Sequence, residues 1–488
     1  MPSRYLRGQG LRALALVLAT AAAVPIGREA AAEPQPGLDP LGRVQLHRNS
    51  NRSVPYLPIG LQGESAGSAS LVMRAARTIE FDGAPLDNVY GNVRPIDVDG
   101  DGVYEYLHYN GFRYAQVWSL TGTKLWKVEN PDGRVHDMQD ATQRDTVAIL
   151  DLDGDGLQDI AHCWVVGGQR SLVYRRGLDG AVIRSTPIQG AVTTECQMAA
   201  FRMAGASQPT ILVAHPIWGS ASTSCPRNWI ANWVRTVAFG TDQQTLWERN
   251  TCDAGHYVWP LDENQDGSAE AVFVGKYLLR PDGSLQCSLD TWPAADHVDG
   301  MAIADLDPLR PGLEAVAVGQ TGTAMYEAAT CREVWRIPTS VIRDPQHVAV
   351  ARLDPASKEP AIVVDERGSV PGARVFVLNG AGQVLAANTN PFMPMQNANL
   401  DGAFGIDEMV GSFGRVVDRL GNTRLGRGWY WDLKGNKVRE TALGPYPTNY
   451  DRWQAFPLVF DHDGDGVDEI VTWGQSLIVV GKIEGAIK

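Results

Sequence analysis

The chain has 488 residues, with 43 Lys and Arg against 56 Asp and Glu and a formal charge of −13 at pH 7. That balance excludes nucleic acid as a partner, because neutralising phosphates takes clustered basic residues. The apolar fraction of 44% is that of a globular protein with a sizeable core, and no stretch after the N-terminus approaches the roughly 18 apolar residues of a membrane span.

Residues 1–32 read as a targeting signal. Arg4, Arg7 and Arg12 make a basic start, Leu14 to Val24 is a short apolar run, and Ala30-Ala31-Ala32 offers small residues for cleavage. The expectation is export to the periplasm or the extracellular space. Cys163, Cys196, Cys225, Cys252, Cys287 and Cys331 are then compatible with up to three disulfides. Six cysteines allow 15 pairings, which the sequence leaves open, and none sits at a CxxC spacing.

Residues 33–70 are rich in Pro, Gly, Ser and Asn without a sustained period, an irregular lead-in. From residue 71 to 488 the pattern is β. Pairs of apolar strands flank glycine turns, as in Val117 to Trp126, Val173 to Ile183 around Asp179-Gly180 and Thr236 to Trp247. Further pairs are Tyr277 to Leu285, Met325 to Trp335, Val375 to Leu385 and Trp429 to Val438. Such pairs are hairpin signals. After Asp461 only one strand of the last hairpin remains, Leu477 to Val480. The N-terminal strand near Thr78 to Phe81 is its expected partner.

Acidic loops alternate with these hairpins. Asp461, Asp463, Asp465 and Glu469 stand at loop positions one, three, five and nine, with Gly466 at six. Asp97, Asp99, Asp101 and Glu105 repeat the spacing, as do Asp151, Asp153, Asp155 and Asp159, and Asp262, Asn264, Asp266 and Glu270. Asp305, Asp307 and Glu314 form a modified copy with two prolines and two extra residues. Oxygen donors at alternate positions with a glycine at the bend point to Ca2+. The last acid comes three positions before that of an EF-hand, and strand-like residues follow it, so the loop belongs to a β repeat. Loop starts, including degenerate ones near Phe201, Asp354 and Asp401, recur every roughly 50 residues. Eight sequential β units of that length indicate an all-β fold, a β-propeller of eight blades closed by the N-terminal strand. Seven is the alternative if the unit containing Gly219 to Trp233 carries an insertion.

Saturated acid loops favour a scaffold role, so chemistry is sought on the strand before each loop, which in a propeller lines the channel. Those positions are Asn88, Tyr90, Asn92, Arg144, Asp145, Glu195, Gln197, His256, Tyr257 and Trp259. They continue through Asp296, His297, Asp299, His347, Gln396, Asn397, Arg452 and Trp453. Three successive units place a histidine six to eight residues before the loop: His256, His297 and His347. With Tyr257 and Arg452 they are the catalytic candidates. His162 and His215, after the loops, read as structural or surface residues.

The stretch Asp296-His297-Val298-Asp299-Gly300-Met301-Ala302-Ile303-Ala304-Asp305-Leu306-Asp307-Pro308-Leu309-Arg310-Pro311-Gly312-Leu313-Glu314 resembles a blade of the family 11 rhamnogalacturonan lyases. Glu327 to Trp335 resembles that blade's closing hairpin. The calcium-loop repeat alone is similar to the FG-GAP propellers of integrin alpha subunits, which are binding modules. The lyase resemblance implies a calcium-stabilised eight-bladed propeller that cleaves an acidic, uronate-containing polysaccharide by β-elimination, here as a monomer. In that chemistry His256, His297 or His347 is the base, Tyr257 the acid and Arg452 the carboxylate holder. The alternative is a non-catalytic propeller that binds carbohydrate or protein at the cell surface.

Overall fold

The computed structural model describes residues 72–80, 92–110, 114–130, 147–188, 196–217, 233–252, 255, 258–289, 291–293, 296–353, 357, 359–367 and 370–388. It further describes 395–398, 408–411, 415–417, 423–425, 430–431, 437–438, 458–461, 466–473 and 477–484. The expected targeting segment and lead-in, 1–32 and 33–70, lie outside the described residues. So do His256, Tyr257, Arg452, Asp463 and Asp465.

Every regular element described is a β-strand. Among the described residues the strands form four-stranded antiparallel sheets in chain order. The first sheet takes Asn92–Ile96, Glu105–Asn110, Tyr114–Trp118 and Lys124–Glu129, and the second begins at Val147–Leu150 and continues with Asp159–Val166. The third, fourth, fifth and sixth begin at Gln197–Arg202, Val258–Leu261, Gly300–Ala304 and Pro345–Ala351. The seventh begins at Met395–Ala398 and the eighth at Leu458–Phe460. The eighth contains three strands from the C-terminal end; its fourth is Val72–Glu80, with Thr78 opposite Val479 and Ile79 opposite Ile478. No described helix is long and apolar enough to cross a membrane.

The burial pattern explains how the sheets stack. Second strands such as Glu314–Gly319 are buried on both faces, whereas fourth strands such as Val182–Pro187 are mostly exposed. Apolar side chains on both faces of a middle strand need a neighbouring sheet on each side. Core clusters accordingly straddle consecutive sheets. Ile96, Leu107 and Trp126 of the first meet Val147 and Ile160 of the second, and Phe273 and Leu278 of the fourth meet Ala317 and Tyr326 of the fifth. The eighth sheet packs on the first through Phe460, whose ring lies 5.7 Å from Tyr104 and 6.1 Å from Tyr106. First strands of consecutive sheets also touch: the second's on the third's, the fifth's on the sixth's, the sixth's on the seventh's.

Tryptophan supplies a repeated latch between sheets. Trp126 Nε1 donates to Gly177 O of the next sheet at 2.6 Å, and Trp335 Nε1 to Gly380 O at 2.8 Å. The indoles lie flat against turn glycines. A Cβ at Gly180 would sit 2.7 Å from Trp126, at Gly283 2.5 Å from Trp247, and at Gly382 2.8 Å from Trp335. All three glycines have φ between 70° and 76°, so both the space and the backbone require glycine. Two disulfides fasten the joints in between. Cys163–Cys196 links the second sheet to the third, and Cys287–Cys331 the fourth to the fifth; Cys252 is disulfide-bonded as well.

One hairpin falls outside the repeat. The hairpin expected within Trp429 to Val438 is present, but Arg415–Val417 and Thr423–Leu425 complete the seventh sheet before it. Tyr430–Trp431 and Lys437–Val438 pair as a separate two-stranded sheet.

Candidate functional site

The acidic loops join the first and second strands of the sheets. Their backbones are wound around their own carboxylates. In the first loop Asp97 accepts from Gly100 N at 2.7 Å and Gly102 N at 3.1 Å, and Asp101 from Val103 N at 2.7 Å. The second loop repeats this with Asp151, Gly154 and Gly156, and with Asp155 and Leu157. In the fourth, Asp262 accepts from Gly267 N, Asn264 Oδ1 from Asp266 N, and Asp266 from Ser268 N. The closing acid reaches back to the position-two amide: Glu105 to Val98, Asp159 to Leu152, Glu270 to Glu263 and Glu314 to Leu306. In the eighth loop Asp461 accepts from Gly466 N at 2.8 Å and Glu469 is fully buried.

Three loops bring carboxylate oxygens within 4.8 Å of one another: Asp97, Asp99 and Asp101; Asp151, Asp153 and Asp159; Asp262, Asp266 and Glu270. Burial, reinforced by Asp153 and Asp155, pushes Asp159 up to about 6. Burial and the neighbouring loop aspartates also raise Glu105. Converging carboxylates that destabilise one another's charge fit a hard divalent cation, which takes oxygen ligands. The fifth loop differs. Arg310 Nε donates to Asp307 Oδ2 at 2.9 Å, and its guanidinium also lies 3.6 Å from Glu327. Asp305, Asp307 and Glu314 do not join such a cluster, and a positive side chain stands among them.

The opposite, leading ends of the first strands form a continuous row. Gln197 Nε2 of the third sheet donates to Gly255 O at 2.7 Å. A Cβ at Gly255 would lie 2.6 Å from Val298 O, and one at Gly300 3.0 Å from Gln346 O and 3.4 Å from His347 Cα. Gln346 Nε2 reaches back to Asp299 Oδ2 at 3.1 Å. The third to sixth sheets therefore present their leading ends side by side. Trp259, expected in this row, instead packs in the core between the fourth and fifth sheets.

Two of the three candidate histidines are described, and their settings differ. His297 is 3% exposed; its Nε2 meets Asp299 Oδ1 at 2.8 Å and its Nδ1 faces Asp296 Oδ1 at 3.9 Å. Asp296 is itself committed to Thr321, accepting from its N at 3.0 Å and its Oγ1 at 2.7 Å. Burial raises Asp296 and Asp344. His347 has a side chain 14% exposed, with Nδ1 3.4 Å from Asp365 Oδ1. His162 and His215 are both interior, at 2% and 0% exposed. Arg175 Nε donates to His162 Nε2 at 2.9 Å, and burial holds that imidazole well below the usual range. Asp365, Gln346 and Thr321 were missed. The readable signal was Asp365-Glu366 ending the apolar run Ala361 to Val364, a buried polar pair in a core strand.

No protein-family model matches the chain. The curated rhamnogalacturonan endolyase YesW of Bacillus subtilis (strain 168) is 26% identical over 297 residues, 49% of this chain and 46% of that protein. The match thus spans about half the length of the curated relative. The crystal structure of the exotype rhamnogalacturonan lyase YesX superposes with a TM-score of 0.59 at 16% identity, over 83% of this chain and 76% of that one. The chain resembles rhamnogalacturonan lyases in sequence and in fold. The YesW crystal structure gives 0.57 at 19% identity, over 82% of this chain and 75% of that one. The Vibrio cholerae biofilm matrix protein Bap1 shares the fold at 0.51 and 13% identity, over 84% of this chain and 88% of its own.

Proposed function

We propose that the chain is an exported, calcium-stabilised β-propeller of eight blades that cleaves a uronate-containing polysaccharide such as rhamnogalacturonan by β-elimination. The observation that carries this reading is the similarity to the rhamnogalacturonan endolyase YesW. Cyclic packing of the sheets supports the propeller, and disulfides between sheets support an oxidising compartment.

Asp97, Asp99, Asp101 and Glu105, the second and fourth loops, and the eighth loop from Asp461 to Glu469 would hold calcium, which neutralises the carboxylates and fastens the loop ends. In the fifth loop, where Asp305, Asp307 and Glu314 stand, Arg310 would take the ion's place beside Asp307.

In the reaction, the C5–H bond beside the uronate carboxylate breaks and its proton passes to a histidine. The electron pair forms the C4=C5 double bond as the C4–O bond breaks, and the departing oxygen takes a proton. His347 is the base favoured among the described histidines, because a carboxylate stands at its Nδ1 and its Nε2 has no described partner. His297 has carboxylates beside both nitrogens and serves as a pin between Asp296 and Asp299. Arg452 holds the substrate carboxylate, Tyr257 protonates the leaving oxygen, and His256 is the alternative base. The protein acts as a monomer.

Incubation with rhamnogalacturonan and related uronate polymers, followed by ultraviolet absorbance of the unsaturated product, tests the reading. Absorbance is expected to rise; no rise with any polymer, with calcium present, overturns it. The second reading is a propeller that binds carbohydrate or protein at the cell surface without turnover. It predicts retention on immobilised polysaccharide, unaffected by His297→Ala, and no new absorbance.

A further inference from the structure

We infer that Asp365 is the positioning residue for His347, fixing the proton on Nδ1 so that Nε2 is the nitrogen that accepts the substrate's proton. The inference rests on the lyase reading for its catalytic meaning and on geometry for its content.

Asp365 lies directly opposite His347 in the antiparallel pair of Pro345–Ala351 and Ala361–Glu366. Its Oδ1 faces two nitrogens of that residue, accepting from the backbone amide at 3.0 Å and lying 3.4 Å from the ring Nδ1. A carboxylate oxygen can only accept, so the ring bonds it by donating from Nδ1, which selects the Nδ1–H tautomer. The same division of labour fixes histidines in catalytic triads and at metal centres.

Burial separates this aspartate from an ordinary strand residue. Asp365 is 0% exposed, and its Oδ2 has no hydrogen-bond partner among the described residues. Leaving a carboxylate oxygen unpaired in the interior costs stability. An asparagine or threonine could bond the His347 amide without burying a charge there. A buried acid is explained by the ring it faces.

The backbone around His347 is also irregular, and at this residue rather than elsewhere in the strand. The pairing shifts between Pro345 and His347, a bulge that re-aims the side chains that follow it. Asp344, just before, has φ of 45°, a left-handed conformation uncommon outside glycine. The bulge sends Gln346 to Asp299 of the fifth sheet while His347 meets Asp365 of its own.

The charged groups around His347 are Asp365 on the paired strand and Asp344 at the strand's start, with Arg367 3.6 Å from it. Across on the fifth sheet are Asp299, Asp296 and His297. The adjoining first strand, Met395–Ala398, carries no titratable residue. Among the described residues only the Asp365 carboxylate lies within ion-pair distance of the His347 ring.

The test combines kinetics with a spectroscopic readout. On rhamnogalacturonan, Asp365→Asn is expected to lower kcat by about 100-fold, within the range for orienting carboxylates, with KM little changed. The acid limb of the kcat/KM profile should move to lower pH, because a negative charge beside the ring is gone. Asp365→Glu should recover part of kcat. A merely structural aspartate would lower melting temperature and activity together, with the acid limb unmoved, and that result overturns the inference. Nitrogen-15 NMR of the wild-type imidazoles reads the tautomer without any variant: the Nδ1–H form of His347 is expected, and the Nε2–H form contradicts it. If the wild type shows no turnover but His347 has the Nδ1–H form, the lyase reading fails and the positioning stands. If turnover is present and the Nε2–H form is found, the reverse holds.

Discussion

The two ends of the sheets obey different rules. At the loop end, the first, second and fourth loops repeat the same hydrogen bonds almost atom for atom, from Gly102 N to Asp97 through Gly156 N to Asp151 to Gly267 N to Asp262. At the leading end, the described parts of the third, fifth and sixth sheets each differ. His297 is clasped between carboxylates, His347 follows a bulge and a left-handed Asp344, and Gln197 bonds a neighbouring backbone. Repetition marks what every sheet needs in order to stand beside the next. Irregularity, which costs local stability, marks where the sheets do different things.

That contrast can be broken from the loop end first. Exhaustive chelation is expected to lower the melting temperature strongly, since each site saturated 100-fold above its Kd contributes about 2.7 kcal/mol. An unchanged melt would remove calcium from the account. Next in size is the latch. Gly382→Ala should cost roughly 1–3 kcal/mol by overpacking the Trp335 ring, with further strain from the φ of 76°. Urea denaturation measures it, and Gly372→Ala, where a Cβ meets nothing within 4 Å at a φ of 64°, separates backbone strain from the clash.

A smaller, pH-dependent effect sharpens the sixth sheet's part. Burial works against the Glu366 carboxylate, but hydrogen bonds from Arg343 and Arg374 outweigh it and hold the group at about 2, below its ordinary 4.5. A depressed carboxylate stabilises the fold above its unfolded value and loses that contribution as pH falls through its folded one. Stability should therefore fall between pH 4.5 and about 2, and Glu366→Gln should flatten that part of the curve in acid titrations followed by fluorescence. Smallest is Arg310→Ala. Its ion pair with Asp307 is 38% exposed on the arginine side, so the loss is expected within about 1 kcal/mol. Its informative readout is calcium: with Arg310 gone, the melt should gain sensitivity to added calcium if the guanidinium stands in for the ion.

Much of the loop end was legible in the sequence, because the acids and glycines stand at fixed spacings that backbone geometry demands. The pairing of Thr78 with Val479 followed from a final hairpin short of one strand. The leading end was legible only as a row of chemistry-bearing residues. Alternation does not say which of them turn inward, and so Trp259 fell into the core. Nor does spacing identify the partner that gives a histidine its role, because Asp365 is brought to His347 only by strand pairing across a bulge. The Trp429–Val438 hairpin was legible from its turn, but a turn signal does not say which sheet a hairpin joins, and this one pairs apart from the seventh.

The most direct measurement of the central claim sets the two ends against each other in one experiment. Wild type and His347→Ala are incubated with rhamnogalacturonan in calcium, and both unsaturated product and melting temperature are recorded. Wild type is expected to form product, while His347→Ala melts as wild type does and loses activity by about 100-fold or more, as removal of a general base should. Equal turnover by both proteins, or a variant whose lost activity is matched by a lost fold, would contradict the division between a loop end that holds the structure and a leading end that performs the reaction.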